Sequence, residues 1–149
     1  MHRGRLAEAQ TAARRVLDIS PTYSGAHYYL AVALLTDGQR DAALAEVQKE
    51  TDDGTRLGGL AIVYHALGRE TESDAALAKM RKDQANDYAF GISEASAYRG
   101  EADQALQWLD RAFAQKDSTL YLIKGDLLFR GLEADPRYKA FLRRMNLPE

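Results

Sequence analysis

The residues that could carry out chemistry are few, and their spacing does not bring them together. The three histidines, His2, His27 and His65, fall in separate stretches, and none lies in a two-histidine helical motif with a glutamate. The absence of cysteine removes disulfides, thiolate metal ligands and a cysteine nucleophile. Ser93 and Ser96 lie one helical turn apart, where small side chains permit packing, so a nucleophile is weakly indicated. The sequence therefore predicts that the chain is not an enzyme.

Two stretches with glycine resemble ligand-binding loops, but each lacks the residues that such a loop needs. The run DDGTRL, residues 52–57, begins with two carboxylates, yet it does not continue with the alternating oxygen ligands and final glutamate of a calcium loop. We predict a turn there. Gly58 and Gly59 lack the lysine and the strand of a phosphate-binding loop. Each costs a helix about 1 kcal/mol relative to alanine, so the pair indicates close approach of a neighbouring helix, or space left for a ligand. We predict no metal and no cofactor.

The element that must position any functional surface is a helical hairpin centred on Gly38. Leu30 and Leu34 precede this glycine by eight and four residues, and Ala43 and Val47 follow it by five and nine. Such offsets, alternating threes and fours on both sides of a glycine, are typical of two amphipathic helices that present their apolar faces to one another across a tight loop.

The same pattern recurs around glycines that are 34, 30 and 32 residues apart, namely Gly4, Gly38, Gly68 and Gly100. A helix-turn-helix unit of about 34 residues is the period of the tetratricopeptide repeat, and the chain resembles that family. Leu6, Pro21 and Tyr23 fall where the motif places a large residue, its terminal proline and the start of the next turn. The resemblance implies an all-α fold, in which antiparallel helical hairpins stack as a right-handed solenoid with C-terminal capping helices.

We predict a single repeat domain over residues 1–149. Its parts are the second helix of a truncated repeat, three complete hairpins and a C-terminal cap, at residues 1–22, 24–53, 55–83, 86–116 and 117–149. Because the first helix of the first repeat is missing, we expect Met1 to be a truncated start. The apolar stripe of residues 5–19 is then either exposed or covered by a second copy of the chain, which allows a homo-oligomer.

The C-terminal part departs from the repeat pattern, as a terminal cap must do to cover the last apolar face. Residues 118–123 have β-propensity, but a lone strand would leave its backbone groups unpaired, so we predict a short helix. Asp135 and Pro136 form a strong helix start. The segment from Tyr121 onward is similar to the closing segment of repeat domains in bacterial multidomain signalling and transcriptional regulators. That similarity implies an upstream signalling or DNA-binding domain.

Composition restricts the classes of partner. The formal net charge is −2, so the positive field that dominates affinity for nucleic acid is missing. The apolar runs are far shorter than the roughly 18 residues of a membrane-spanning helix. We therefore predict no direct binding of nucleic acid, no membrane insertion, and a cytoplasmic location, or a periplasmic one if an upstream membrane segment was removed.

The resemblance also implies where a binding surface lies, because in this family the first helices of successive hairpins line a concave groove. The residues of this chain at groove positions are mainly apolar or aromatic: Tyr28, Val32, Leu35, Gly58, Ile62, His65, Phe90, Glu94 and Ala97, with Tyr98 alongside. Family members that clamp a peptide's terminal carboxylate use lysine, arginine and asparagine at such positions. None occurs here, so binding of that kind is disfavoured.

Three functions remain open for this surface. The first is a protein-interaction module or scaffold that binds a peptide or partner helix, with aromatic side chains as anchors. The second is a structural or self-association element of a larger regulator, its groove filled by the chain's own tail through Tyr121, Leu122 and Phe129. The third, a small-molecule sensor or enzyme, depends only on the grouping of Gly58, Gly59, His65 and Glu94.

Overall fold

The computed structural model describes residues 3–147, and within them every regular element is helical. The fold is all-α, with helical hairpins of the tetratricopeptide type. The elements in chain order are α1 (Arg3–Ile19), α2 (Ala26–Thr36), α3 (Arg40–Val47), α4 (Asp53–Ala66), α5 (Glu70–Asp83), α6 (Ala89–Tyr98), α7 (Ala102–Ala114), the 3-10 helices η1 (Ser118–Gly125) and η2 (Leu127–Leu132), and α8 (Pro136–Arg144). None of the described helices is long and apolar enough to cross a membrane.

The chain divides into two compact units, Met1–Lys79 and Met80–Glu149, and the division falls within α5. We call them unit 1 and unit 2 and describe each by itself. The assignment of all residues to one repeat domain stays a prediction.

Left-handed glycines close the three hairpin turns at the predicted positions. Gly38, Gly68 and Gly100 have φ angles of 85°, 76° and 80°, a conformation that glycine adopts without steric cost. The residue after each glycine donates its N–H back into the preceding helix, as Gln39 does to the carbonyl of Leu34 at 2.9 Å, which is the usual way a helix ends at such a turn. The glycine pattern therefore locates these loops correctly.

Gly4 is different, and the prediction that it marks a loop is wrong. It lies inside α1, which already begins at Arg3, and a Cβ added to it would meet nothing within 4 Å. The neighbouring polar and small residues continue the helix, so Gly4 does not form a turn like those at Gly38, Gly68 and Gly100.

In unit 1, α1 packs on α2, α2 packs on α3, and both α2 and α3 contact α4. Ala43 and Val47, the residues predicted to face α2, are completely buried.

Leu6 and Ala13 of α1 are also buried within the single chain, because α1 packs on α2. The expectation that the whole α1 stripe needs a second copy or lies open is therefore wrong for these two residues. Ile19 at the end of α1 is 87% exposed, and a homo-oligomer through this helix stays a prediction.

In unit 2, α6 packs on α7 and η2, and α7 contacts α8. Ala105, Leu109 and Ala112 of α7 are completely buried, as predicted, and Trp108 packs against this core while staying partly exposed. The segment after Asp117 is helical, as predicted, but of the tighter 3-10 type. Asp135 caps α8, where its Oδ1 accepts the N–H of Arg137 at 2.8 Å.

Candidate functional site

The predicted groove residues of unit 1 lie on α2 and α4, and they differ in exposure. Tyr28, Leu35 and Ile62 are buried, whereas Val32 and His65 are partly exposed. α2 and α4 pack against one another, and among these five residues Val32 and His65 are the ones that keep some exposure.

Gly59 explains how α4 comes so close to its neighbours. A Cβ at this position would overlap Cγ2 of Val47 and lie 3.1 Å from Cδ2 of Tyr28. The side chains of α2 and α3 therefore occupy the space that a larger residue would fill. This confirms close packing, the first of the two interpretations of the glycine pair, at Gly59.

The two histidines that the structure describes, His27 and His65, are engaged in structural contacts. His27 lies with Nδ1 3.2 Å from Oε1 of Glu46 and with Nε2 3.2 Å from the carbonyl of Pro21, so its ring links α2 to α3 and to the preceding loop. Nδ1 of His65 lies 2.7 Å from Oε1 of Glu70, the first residue of α5. Of the described residues, no group of three histidine, aspartate or glutamate side chains could hold a metal ion.

Glu50 is the important buried polar residue that sequence reasoning missed. Its side chain is buried, and its Oε1 accepts the N–H of Gly25 at 3.1 Å and of Tyr28 at 3.3 Å. Its Oε2 accepts the N–H of Asp52 at 3.1 Å. Because the first N–H groups of a helix have no partner within the helix, one carboxylate here holds the start of α2 and the approach to α4 together. No local pattern marks this role, since two of the donors are more than twenty residues away in sequence.

In unit 2, the predicted groove residue Phe90 is covered by the chain's own C-terminal part. Phe90 is 3% exposed, and its ring centroid lies 5.6 Å from that of Phe129 on η2. The ring of Phe129 in turn stacks on that of Tyr138 at 6.0 Å. We refer to residues 118–132 as the tail segment. Within unit 2 its second half, η2, packs on α6 and covers Phe90 through the ring of Phe129.

The prediction of which tail residues fill this face is correct only for Phe129. Tyr121 is 74% exposed and Leu122 is 36% exposed, so they do not enter the core. The 3-10 geometry turns other side chains inward. Leu128 is buried, and four further buried side chains belong to the same core cluster as Phe90: Leu120, Ile123, Phe129 and Leu132. Within each 3-10 helix the members of this cluster are three residues apart, which matches the three-residue repeat of that helix.

Glu94 is the one acidic residue among the predicted groove positions, and it lies next to two further carboxyl groups. It is partly buried, and one of these groups, Asp126, is the N-cap of η2. Burial raises the pKa of Glu94 well above its ordinary value, and the hydrogen bond to Asp126 and the charges of Asp126 and Asp117 raise it further. Tyr98, predicted to lie alongside, is partly exposed at the end of α6.

Both aspartates beside Glu94 also bond to backbone N–H groups. Oδ1 of Asp126 accepts from Leu128 at 3.0 Å. Asp117 caps η1 by accepting the N–H of Thr119 at 2.9 Å through Oδ1, and its Oδ2 accepts the N–H of Phe90 at 3.4 Å. The two aspartates therefore fix the starts of the two 3-10 helices against α6.

The comparison with protein families locates the similarity at the N-terminal end. Residues 1–49 match the family model of the tetratricopeptide repeat, a stretch that includes α1, α2 and α3. No curated protein and no solved structure matches the chain. Stacked repeats of this kind expose binding surfaces and are typical of protein-interaction modules. The N-terminal third of the chain is thus similar to a tetratricopeptide repeat, and the helical hairpins that follow it share the same glycine-turn geometry.

Proposed function

We propose that the chain is a protein-interaction module that binds a peptide or partner helix on the face formed by α2 and α4. The observation that carries this proposal is the exposure pattern of that face. Val32 and His65 are partly exposed, one on each helix, whereas Tyr28 and Ile62 are buried, and we take the buried pair as the floor of the proposed surface. A rigid floor with accessible side chains above it suits a helix or extended peptide, which is recognised by a few anchoring contacts.

The floor of this face is fixed before any partner arrives. Tyr28 lies against α4 at Gly59, and the start of α2 is held by the carboxylate of Glu50. Binding to such a preformed surface loses little conformational entropy. We restrict the proposed surface to unit 1, because Phe90 at the corresponding position of α6 is 3% exposed and contacts Phe129.

Selection from a random peptide library displayed on phage, with the complete chain as target, tests this proposal. Val32→Asp places a charge on the proposed face, and we expect it to weaken binding of the selected peptides at least tenfold. His65→Ala should weaken it less, since the ring is also engaged with Glu70. The matched control is Ala42→Asp, an exposed position on α3, which should leave affinity unchanged.

Thermal unfolding of each variant shows whether a loss of binding comes from a loss of folding. A Val32→Asp variant that unfolds like the parent chain and still binds every selected peptide contradicts the proposal. So does a library that yields no peptide. If Val32→Asp lowers the unfolding temperature, Val32→Gln replaces it, because glutamine adds polarity to the face without a charge.

A second candidate is a structural or self-association element of a larger regulator. It is supported by the packing of the tail segment on α6, through which Phe129 covers Phe90. Under this alternative the chain selects no peptide, and its solution mass rises with concentration, because the 87%-exposed Ile19 of α1 offers an apolar contact to a second copy. A constant monomer mass in multi-angle light scattering, unchanged by Ile19→Glu, contradicts self-association.

A further inference from the structure

We propose that the outer side of η1 is a docking surface for an acidic peptide segment of a partner protein, and that this segment carries a large apolar side chain. The surface, which we call the η1 surface, consists of Tyr121 and Leu122 together with the cations Lys116, Lys124 and Arg130. All five residues belong to unit 2. The proposal therefore does not depend on the function proposed for α2 and α4.

The apolar part of the η1 surface is a pair of neighbouring side chains that the core of unit 2 leaves outside. Tyr121 is 74% exposed and Leu122 is 36% exposed, whereas Leu120 and Ile123 on either side of them are 6% and 1% exposed. The core is thus complete without the exposed pair. Large apolar side chains that lie together at a surface and are rimmed by polar residues are typical of interaction sites.

The 3-10 geometry of η1 determines what lies next to these two side chains. Side chains three residues apart lie above one another on such a helix, so Ser118, Tyr121 and Lys124 form one row. Leu122 belongs to the next row, with Thr119. All five side chains are exposed. One side of a short helix therefore offers an aromatic ring, an aliphatic side chain and an ammonium group together.

The exposed charges of this stretch are all positive. In residues 116–131 the exposed charged side chains are Lys116, Lys124 and Arg130. None of the three forms an ion pair with a residue of the described stretch 3–147. Their charges are therefore available to a negatively charged partner.

The carboxylates of the same stretch are engaged by the backbone. Asp117 accepts the N–H groups of Thr119 and Phe90, and Asp126 accepts that of Leu128. Both aspartates are partly buried, and the next exposed carboxylate, Glu133, follows η2. The outer side of η1 is therefore locally positive, although the formal net charge of the whole chain is −2.

This combination fits an acidic peptide better than other partners. The cations attract carboxylates, and the ring of Tyr121 and the side chain of Leu122 can pack against one apolar anchor of the partner. Two apolar side chains form a small contact area, which suits a short segment. A long polyanion such as nucleic acid is disfavoured, because the negative net charge of the chain opposes it.

Titration of the complete nitrogen-15-labelled chain with a synthetic octapeptide, followed by NMR, tests the proposal. The probe has three glutamates on each side of a Phe-Leu pair, and we expect it to shift the amide signals of residues 118–125. Two control peptides, one with lysines in place of the glutamates and one with Gly-Ser in place of Phe-Leu, should bind at least tenfold more weakly. Added salt should weaken binding of the probe, because it screens exposed charges.

Substitutions in the chain locate the binding surface. Tyr121→Ala and Lys124→Glu should each weaken binding of the probe at least fivefold, and both change exposed positions. The matched control is Lys139→Glu, the same charge change at an exposed position of α8, which should alter affinity less than twofold. Val32→Asp should bind the probe like the parent chain, which separates this test from that of the α2 and α4 face.

Several results would overturn the proposal. The first is a probe that shifts no signal of residues 118–125. The second is equal weakening by Lys139→Glu and Lys124→Glu, since the attraction is then non-specific. Binding of phosphatidylserine vesicles without binding of the probe would assign the surface to a membrane. A solution mass that doubles in the parent chain but not in Tyr121→Ala would assign it to a second copy of the chain.

Discussion

Phe90 of α6 and Phe129 of η2 face one another with ring centroids 5.6 Å apart and an interplanar angle of 30°. This pair joins a residue at a predicted groove position to a residue of the tail segment. Because the stack continues from Phe129 to Tyr138 at 6.0 Å, three elements of unit 2 meet at one aromatic ring. Phe129 is therefore the central side chain of this unit.

Phe129→Ala should destabilise unit 2 strongly. The ring is 1% exposed, and truncation of a buried phenylalanine to alanine costs about 3–5 kcal/mol in transfer energy and cavity formation. The fluorescence of Trp108, the one tryptophan of the chain, reports unfolding of this core in denaturant. Tyr121→Ala, at a 74%-exposed position of the same tail segment, should change the free energy of unfolding by less than about 0.5 kcal/mol. Equal effects of the two substitutions contradict the assigned packing.

Gly59→Ala should destabilise unit 1, although alanine favours a helix by about 1 kcal/mol over glycine. The added Cβ overlaps Cγ2 of Val47 and approaches Tyr28 to 3.1 Å, and overpacking of this kind costs about 1–3 kcal/mol. Chemical denaturation followed by circular dichroism measures the difference. In a Val47→Ala background the destabilisation caused by Gly59→Ala should be smaller, because the overlapping methyl group is gone. A double-mutant cycle that shows no coupling between the two positions contradicts the close contact.

The matched control is Gly4→Ala. Gly4 also lies in a helix, but nothing within 4 Å would meet its Cβ. Here the helix preference of alanine should act alone, so the free energy of unfolding should stay constant or rise slightly.

The sequence predicts the hairpins well because their determinants are local. A glycine at each of residues 38, 68 and 100, with apolar residues at helical spacing on both sides, is enough to place six helices. Asp135 and Pro136 likewise mark the start of α8 within a few residues of chain. At each of these points the propensity, the turn and the hydrophobic pattern agree.

The candidate site is harder to predict, because its contacts join distant parts of the chain. The sequence allowed either an open groove or one filled by the tail, and the packing of Phe129 on Phe90 depends on which side chains a 3-10 segment turns inward. The grouping of Glu94 with Asp126 and Asp117, which raises the pKa of Glu94, has the same origin. Periodicity along one helix carries no information about which side chain of another segment will cover it.

Glu50→Ala should destabilise unit 1 through the loss of hydrogen-bond acceptors rather than of volume. It would leave the N–H groups of Gly25, Tyr28 and Asp52 without the carboxylate, and each buried donor left unpaired costs about 1–3 kcal/mol. Glu50→Gln keeps one oxygen and should lie between the parent chain and Glu50→Ala in urea denaturation. Glu8→Ala on the exposed side of α1 is the control. A loss of less than about 0.5 kcal/mol for Glu50→Ala contradicts the capping role.

Tyr138→Phe should make unit 2 more resistant to alkaline unfolding. Burial, followed by the charges of Asp126 and Glu133, raises the pKa of Tyr138 from 10.0 to about 12 in the folded chain. Between these values the unfolded chain releases the phenolic proton and the folded chain keeps it, so stability falls as pH rises from 10 to 12. Phenylalanine retains the stack on Phe129 and has no proton to lose, which should make the decline of the urea midpoint with pH shallower.

The control is Tyr121→Phe, at an exposed position, whose urea midpoint should decline with pH like that of the parent chain. The difference in phenolate absorbance between the parent chain and Tyr138→Phe should show ionisation near pH 12, and ionisation near pH 10 contradicts the buried environment of this side chain.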